Sequence, residues 1–233
     1  YGYNLEPGSK ELTALNYYTN EEITIPLDPT QTPGENAQRY FAKYNKQKRT
    51  FEALTELIRE TADDIEYLES IGNALDIALS EADLAQIKEE LMLSGYIRRK
   101  HTKKKVKLTS KPMHYISSDG YDMYVGKNNL QNEELTFSLA NGNDWWFHAK
   151  GAPGSHVIVK SGGDELPDQT FEEAGRLAAY YSKNRGADKV EIDYIQKKHV
   201  KKPNGAKPGF VVYYTNYSLV IDSDISNIKN VQD

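Results

Sequence analysis

The chain of 233 residues contains no cysteine, which removes a disulfide framework, thiol catalysis and zinc–thiolate sites together. No apolar run approaches the roughly 18 residues that a membrane-spanning helix needs, so membrane insertion is not expected. Hydrophobic residues make up only 38% and mean hydropathy is −0.71. That is lean for one large core, and part of the chain is expected to be extended or strongly solvated. The common catalytic signatures are missing as well: there is no Gly-x-Ser-x-Gly elbow, no His-Glu-x-x-His and no phosphate-binding Gly-x-x-x-x-Gly-Lys-Ser/Thr loop. Asp144, His148, Ser155 and His156 lie close together and could supply an acid, bases and a nucleophile. Proximity in sequence is weak evidence for triad geometry, however, and the two histidines make two metal ligands with no clear third. No catalytic residue, metal or cofactor is assigned. The chain starts at Tyr1 in mid-pattern and reads as a piece of a longer protein.

What is present is sharply segregated charge. Residues 1–97 carry 8 basic and 18 acidic side chains, and residues 112–233 carry 13 and 16. Between them Arg98, Arg99, Lys100, Lys103, Lys104, Lys105, Lys107 and Lys111 form a positive run with no acid in it. Local potential decides polyanion binding, so a net charge of −5 does not exclude such a partner. A solvated linker, or an edge strand protected by lysines, would show the same run.

Four stretches follow from the pattern. Residues 1–33 are irregular, with short strands expected at Tyr17-Tyr18 and Ile23–Ile25, and Pro26, Pro29 and Pro33 bar a helix there. A long helix is expected from Gly34 to about Ser70, roughly 54 Å of rod at the standard rise. In it Tyr44, Phe51, Ile58 and Ile65 recur every seven residues, with Leu54, Leu68 and Leu75 on the second seam and Gln47 and Thr61 interrupting. A short helix at 81–93 opens on Ser80–Asp83 and aligns Leu84, Ile87 and Leu91. It is too short to cover the rod and completes the stretch 34–97. Residues 98–111 form the basic linker.

From 112 to 233 strands and helices mix. A hairpin is expected at 114–116 and 122–125, a short helix at 129–139, strands at 145–148 and 156–159, an amphipathic helix at 170–184, and strands at 190–195, 210–214 and 217–221. The class is α+β: a long coiled-coil-type helix plus a small, mostly antiparallel sheet domain with one or two packed helices.

The densest segment is Asp144-Trp145-Trp146-Phe147-His148-Ala149-Lys150-Gly151-Ala152-Pro153-Gly154-Ser155-His156. Strand neighbours point to opposite faces, so one tryptophan should be core and the other free to stack. Lys150 and the Pro153-Gly154 turn suit a phosphate, Ser155 and the two histidines offer hydrogen bonds, and aromatic faces beside positive charge suit unpaired RNA. The loop from Lys197 to Gly209 adds Lys197, Lys198, Lys201, Lys202 and Lys207. An ordinary hairpin with a core tryptophan and a solvated loop would fit the same residues.

These segments resemble a known family. Leu27-Asp28-Pro29, Asn36-Ala37-Gln38-Arg39-Tyr40-Phe41 and Tyr44-Asn45-Lys46 are similar to the entry of the second coiled-coil arm of the NFACT family. Asp144–Ala149 with Pro153–Val157 resembles the signature of its NFACT-R domain, and Lys202-Pro203-Asn204-Gly205-Ala206-Lys207-Pro208-Gly209 matches the second motif of that domain. The resemblance implies RNA binding, with Arg98 and Arg99 adding to the field. It also implies a role in ribosome-associated quality control: binding of the large ribosomal subunit and tRNA, and alanine tailing of stalled nascent chains in the cytoplasm. Peptide-bond formation there belongs to the ribosome. Residues linked to tRNA selection lie in domains outside this sequence. The same family is described as surface adhesins binding fibronectin or fibrinogen, a second expected role at the cell surface.

The uncovered seam of Tyr44, Phe51, Leu54, Ile58 and Ile65 predicts a coiled-coil partner, either a helix outside this sequence or a second copy. Sedimentation equilibrium at rising concentration should detect a homodimer that Phe51→Ser with Ile58→Ser abolishes.

Overall fold

The structure, a computed structural model, describes residues 5–98 and 110–231. It falls into two compact units, residues 1–63 and 64–233, with the division inside one continuous helix.

In the first unit β1 (Glu11–Asn16) and β2 (Glu21–Pro26) pair antiparallel, with Leu12 opposite Ile25 and Ala14 opposite Ile23. Tyr17 and Tyr18, expected in a strand, occupy the turn instead, exposed and with ring centroids 4.5 Å apart. The strand uses the alternation from Leu12 to Asn16, and Asn20 takes the left-handed φ of 57° that closes the hairpin. Helix α1 (Pro33–Ile77) begins at Pro33 rather than after it. At the first helical position proline loses nothing, because that N–H has no helical acceptor. Thr32 and Glu35 close a capping box: the Glu35 amide donates to Thr32 Oγ1 at 3.2 Å, and the Thr32 amide donates to Glu35 Oε2 at 2.7 Å. The heptad residues stay exposed, Phe51 at 72% and Ile58 at 68%, with Tyr44, Leu54 and Ile65 at half or more.

In the second unit α1 runs on to Ile77, well past Ser70, because its last turns have something to pack on. Tyr67, Ile71 and Ala74 make a stripe buried against Ile87 of α2 (Glu81–Leu93), and Ile77 enters the main core. The contact uses this stripe, while Leu68 and Leu75 of the second seam remain exposed. The Ser80–Asp83 capping box is present. Leu84, expected on the packed face, is exposed, and Asp83, Ile87 and Glu90 are buried. Buried carboxylates require partners. Asp83 has Lys127 Nζ at 3.2 Å, and Glu90 Oε1 accepts from Tyr67 Oη and Asn129 Nδ2, both at 2.9 Å.

The rest is a seven-stranded sheet in which every pairing is antiparallel. The strands are β3 (Met113–Ile116), β4 (Asp122–Val125), β5 (Trp145–Ala149), β6 (Val157–Val159), β7 (Val190–Gln196), β8 (Tyr217–Ile221) and β9 (Lys229–Asn230), in the order β8-β7-β5-β6-β4-β3-β9. The fold is mixed α+β. One face packs Phe147, Ala149, Val157 and Val159 against α4 (Asp168–Tyr180). The other carries the cross-strand row Ile195, Trp146, Ile158 and Tyr124. The helix expected at 129–139 divides into α3 (Asn129–Glu134) and one π-type turn, Leu135–Leu139. Residues 210–214, expected as a strand, pair only through a single bridge between Lys201 and Val212. Pro208 and the left-handed Gly209 precede the segment and Thr215, with φ of 59°, follows it, so it lies as a strap on the Trp146 face, with Val211 and Tyr213 packed there.

Asp144, weighed as a catalytic acid, has a structural task. Its buried carboxylate accepts from the Asn141 amide at 2.7 Å, the Ser161 amide at 3.1 Å and Lys160 Nζ at 2.5 Å, tying the entry of β5 to the exit of β6. Asp144→Ala should cost about 3 kcal/mol of unfolding free energy in urea titration. Lys150→Ala, which breaks an exposed pair, should stay within about 0.5 kcal/mol.

Candidate nucleic-acid interface

Alternation along β5 sets the site. Trp146 and His148 point to the face opposite α4, and the 151–154 turn, His156 and the strap at 209–213 line a cleft of about 440 Å³ there. Its floor is Trp146, His148 and His156, with Asn129 and Asn132 from α3 on another side and Glu66, Glu69 and Ser70 from α1. Two glycines permit the enclosure. Gly209 has φ +79°, and a Cβ there would lie 2.9 Å from Asn129; a Cβ on Gly154 would meet that of Ser182 at 3.0 Å.

Trp146 is fully buried, with three rings against it. His148 stacks at 5.6 Å, Tyr213 lies at 4.9 Å, and His156 meets it edge-on at 5.1 Å. Its Nε1 has no hydrogen-bond partner among the described residues. The His156 amide donates to Asn132 Oδ1 at 3.0 Å, and its Nδ1 lies 2.8 Å from Thr136 Oγ1. Burial pushes the His148 imidazole down to about 4, against weaker upward pulls from the Gly154 carbonyl and Asp193. Burial, then the neighbouring His148, holds His156 well below its ordinary range. Both are neutral at pH 7, each with one donor and one acceptor nitrogen.

The charges around the cleft differ from the sequence expectation. Its lining holds two carboxylates, Glu66 and Glu69, and no lysine or arginine. Lys150, expected on a phosphate, is paired with Glu191 at 2.5 Å. Lys202 is paired with both oxygens of Glu133 at 2.7 Å. Lys207 is paired with Asp64 and lies over the rings of Tyr67 and Tyr96. Among the described residues no carboxylate pairs with Lys197, Lys198 or Lys201. Lys197 and Lys198 sit in a short 3₁₀ turn after β7, Lys197 over the Phe137 ring at 5.6 Å.

The two tryptophans do not share a face. Trp145 points to the α4 side, half-buried among Phe171 at 4.9 Å, Tyr194 and Tyr217. Stacking of a base on Trp146 is corrected too, since its ring has no exposed surface. Ser155 is buried with an unpartnered Oγ and is not a surface contact, and His156 reaches solvent only by way of the cleft. With Asp144 engaged elsewhere and Ser155 unpaired, no triad forms. Pro153 and Gly154 line the cleft. Arg98 is exposed, and Arg99 with the run to 109 lies outside the described residues. Among the described residues no group of three or more His, Asp or Glu could hold a metal, and no helix is long and apolar enough to cross a membrane. Asn129, Asn132 and Tyr213 were not singled out from sequence. The available signal was the amide-rich run Asn128-Asn129-Leu130-Gln131-Asn132, which is buried although polar.

Comparison with known proteins places these elements. Residues 1–110 match the family model of the NFACT N-terminal and middle domains, and residues 111–215 match the NFACT protein RNA binding domain. The chain belongs to the NFACT family. This NFACT chain is 45% identical over 218 residues to the Rqc2 homolog RqcH of Streptococcus pneumoniae strain R6, covering 93% of the chain and 39% of that protein. It is 42% identical over 233 residues to the Rqc2 homolog RqcH of Bacillus subtilis, covering 97% and 40%. It thus spans about two-fifths of these curated relatives. A solved structure described as the C-terminal of the fibronectin/fibrinogen-binding protein from Streptococcus suis superposes with a TM-score of 0.77 at 44% identity, over 84% of this chain and 78% of that one. The cleft floor, the strap and the lysines at 197–202 all fall within the RNA binding domain match.

The desolvated His148, with His156 beside it, makes stability depend on pH. The folded value near 4 lies below the ordinary 6.5, so the unfolded chain takes up the proton first. The stabilisation is complete above pH 6.5 and is lost as pH falls toward 4. Urea unfolding at pH 7 and pH 5 should show a loss that His148→Gln reduces by about 2 kcal/mol, the remainder coming from His156.

Proposed function

We propose that this chain is the RNA-contacting part of a ribosome-associated quality control factor, one that binds the large ribosomal subunit and tRNA and supports alanine tailing of stalled nascent chains in the cytoplasm. One observation carries the reading. Inside the stretch matching an RNA binding domain, Lys197, Lys198 and Lys201 follow β7 in one short segment and have no carboxylate partners among the described residues. Lysines already held by carboxylates gain little from a phosphate, whereas Lys197, Lys198 and Lys201 are available to one. Lys201 is fixed in place, since its amide donates to the Val212 carbonyl at 2.9 Å and Val211 lines the cleft. The relatives' names support the ribosomal role. In this reading the chain contributes binding, and bond formation belongs to the ribosome.

A second reading, a surface adhesin for fibronectin or fibrinogen, has its own support: the similar structure carries that description, and α1 exposes Phe51 and Ile58. The two use different residues. Lys197→Ala, Lys198→Ala and Lys201→Ala together should make the dependence of log K on log salt shallower by about 2 for single-stranded RNA. Anisotropy with tRNA and co-sedimentation with large subunits measure it. Salt-independent binding, or no effect of the triple variant, would defeat the ribosomal reading. Capture on immobilised fibronectin that falls with Phe51→Ser and Ile58→Ser, and not with the lysine variant, would favour the adhesin.

A further inference from the structure

We infer that Tyr214 stacks on an unpaired nucleobase while the flanking phosphates lie on Lys197, Lys198 and Lys201. The inference rests on the RNA-binding reading and names the side chain that holds a base, on the outer side of the strap and away from the cleft.

The backbone of the lysine segment is anchored. The Lys197 amide donates to the Asp144 carbonyl at 2.8 Å, and the Lys198 amide donates to the Gly142 carbonyl at 3.0 Å. Val200 is buried in the Trp146 cluster, and Lys201 after it is exposed. Lys201 and Val212 exchange both backbone hydrogen bonds, at 2.9 and 2.8 Å. Residues directly opposite in an antiparallel bridge present their side chains on the same side. The strap itself alternates, with Val211 and Tyr213 packed inward and Val212 and Tyr214 exposed. Lys201, Val212 and Tyr214 therefore share the outer side of the strap. Glu133 accepts from Lys202 and from the Gly209 amide, and Asp193 accepts from Tyr213 and Ser218, so neither carboxylate competes for the three lysines.

Tyr214 is 74% exposed, and among the described residues no ring lies against it and no group bonds its hydroxyl. Other aromatics on this side of the sheet are occupied: Trp146 is buried, Phe137 lies under Lys197, and Tyr213 donates to Asp193 Oδ2 at 2.9 Å. Thr215, directly after Tyr214, is β-branched yet holds a left-handed φ of 59°, and its hydroxyl donates to the Tyr214 carbonyl. Such a backbone is strained for a β-branched residue and recurs where a neighbouring side chain is held for binding. A free ring among unpaired cations matches a polyanion that offers ring faces between its charges. Single-stranded nucleic acid has that chemistry, since every base presents a π-face and every linkage a phosphate. A duplex does not, because its base faces are already stacked.

The test compares the wild-type chain with Tyr214→Ala and Tyr214→Phe by fluorescence anisotropy. The probes are a single-stranded RNA of about 12 nucleotides and an abasic ribose-phosphate oligomer of equal length. Tyr214→Ala should weaken RNA binding roughly tenfold, whereas Tyr214→Phe, which keeps the ring, should stay within about twofold of wild type. The alanine variant should leave the salt dependence unchanged, since that belongs to the lysines. It should also bind the abasic oligomer as the wild type does. In the wild-type chain, RNA carrying 5-iodouracil should photocrosslink to the peptide that contains Tyr214, a readout that needs no variant. Equal losses for RNA and abasic oligomer would make Tyr214 a merely structural residue and overturn the inference. Unchanged RNA affinity in Tyr214→Ala, or crosslinks confined to other peptides, would overturn the base assignment and leave the RNA-binding reading intact. Wild-type chain that binds neither probe would remove both.

Discussion

The central strand β5 must bury large side chains on both of its faces, and most of the second unit follows from that. Phe147 and Ala149 on one side need a cover and obtain α4; Trp146 on the other needs one too and obtains the strap from Gly209 to Tyr213. A helix satisfies its own backbone while it covers a sheet. The strap does not, and it closes Trp146 with irregular backbone and one bridge. The incomplete closure is the cleft. An indole needs an acceptor for its N–H as well as apolar contact. The strap supplies the contact and no acceptor, so a polar atom is left unmet on an indole that is itself completely covered.

The junction of α1, α2 and α3 meets the opposite problem: polar groups placed inside and, apart from Glu90 Oε2, satisfied. Asp83, Glu90, Asn128, Asn129, Gln131 and Asn132 are all buried. Their bonds cross between elements: Asn128 Nδ2 and Gln131 Nε2 both donate to Gln86 Oε1, at 2.8 and 2.7 Å, and Asn129 Nδ2 donates to Ser70 Oγ at 2.7 Å and to Glu90 Oε1 at 2.9 Å. Burial raises the Glu90 carboxyl above its usual range despite those donors. Such a network tolerates few arrangements, because each misplacement strands a buried group. It holds Asn129 and Asn132 at the side of the cleft and restricts how the last turns of α1 lie against α3.

Electrostatics divides the lysines more finely than any count of them. Lys150, Lys202 and Lys207 look alike in sequence to Lys197, Lys198 and Lys201, yet the first three have carboxylates on Glu191, Glu133 and Asp64. Those acids come from other strands and helices. A lysine-rich loop therefore states how much positive charge a segment holds, and the acids folded beside it decide how much reaches a phosphate.

The sequence by itself determined the family, the α+β class, the long helix with its exposed heptad seam, and the division of Trp145 and Trp146 between two faces, since each of these rests on local period or on contiguous residues. It misplaced what depends on partners far along the chain. Tyr17 and Tyr18 have strand propensity but occupy a turn, Leu84 fits the helical stripe but lies outside it, and the strand-like 210–214 lost its ladder to Pro208, Gly209 and Thr215. Only the tertiary structure decided that Trp146 is fully buried, that Ser155 is internal, and that Asn129, Asn132 and Glu66 join the histidines around one cleft. The physical reason is range. Alternation and helical period act over a few residues, whereas burial, ion pairing and the satisfaction of polar groups are settled by neighbours tens of residues away, whose positions no local pattern specifies.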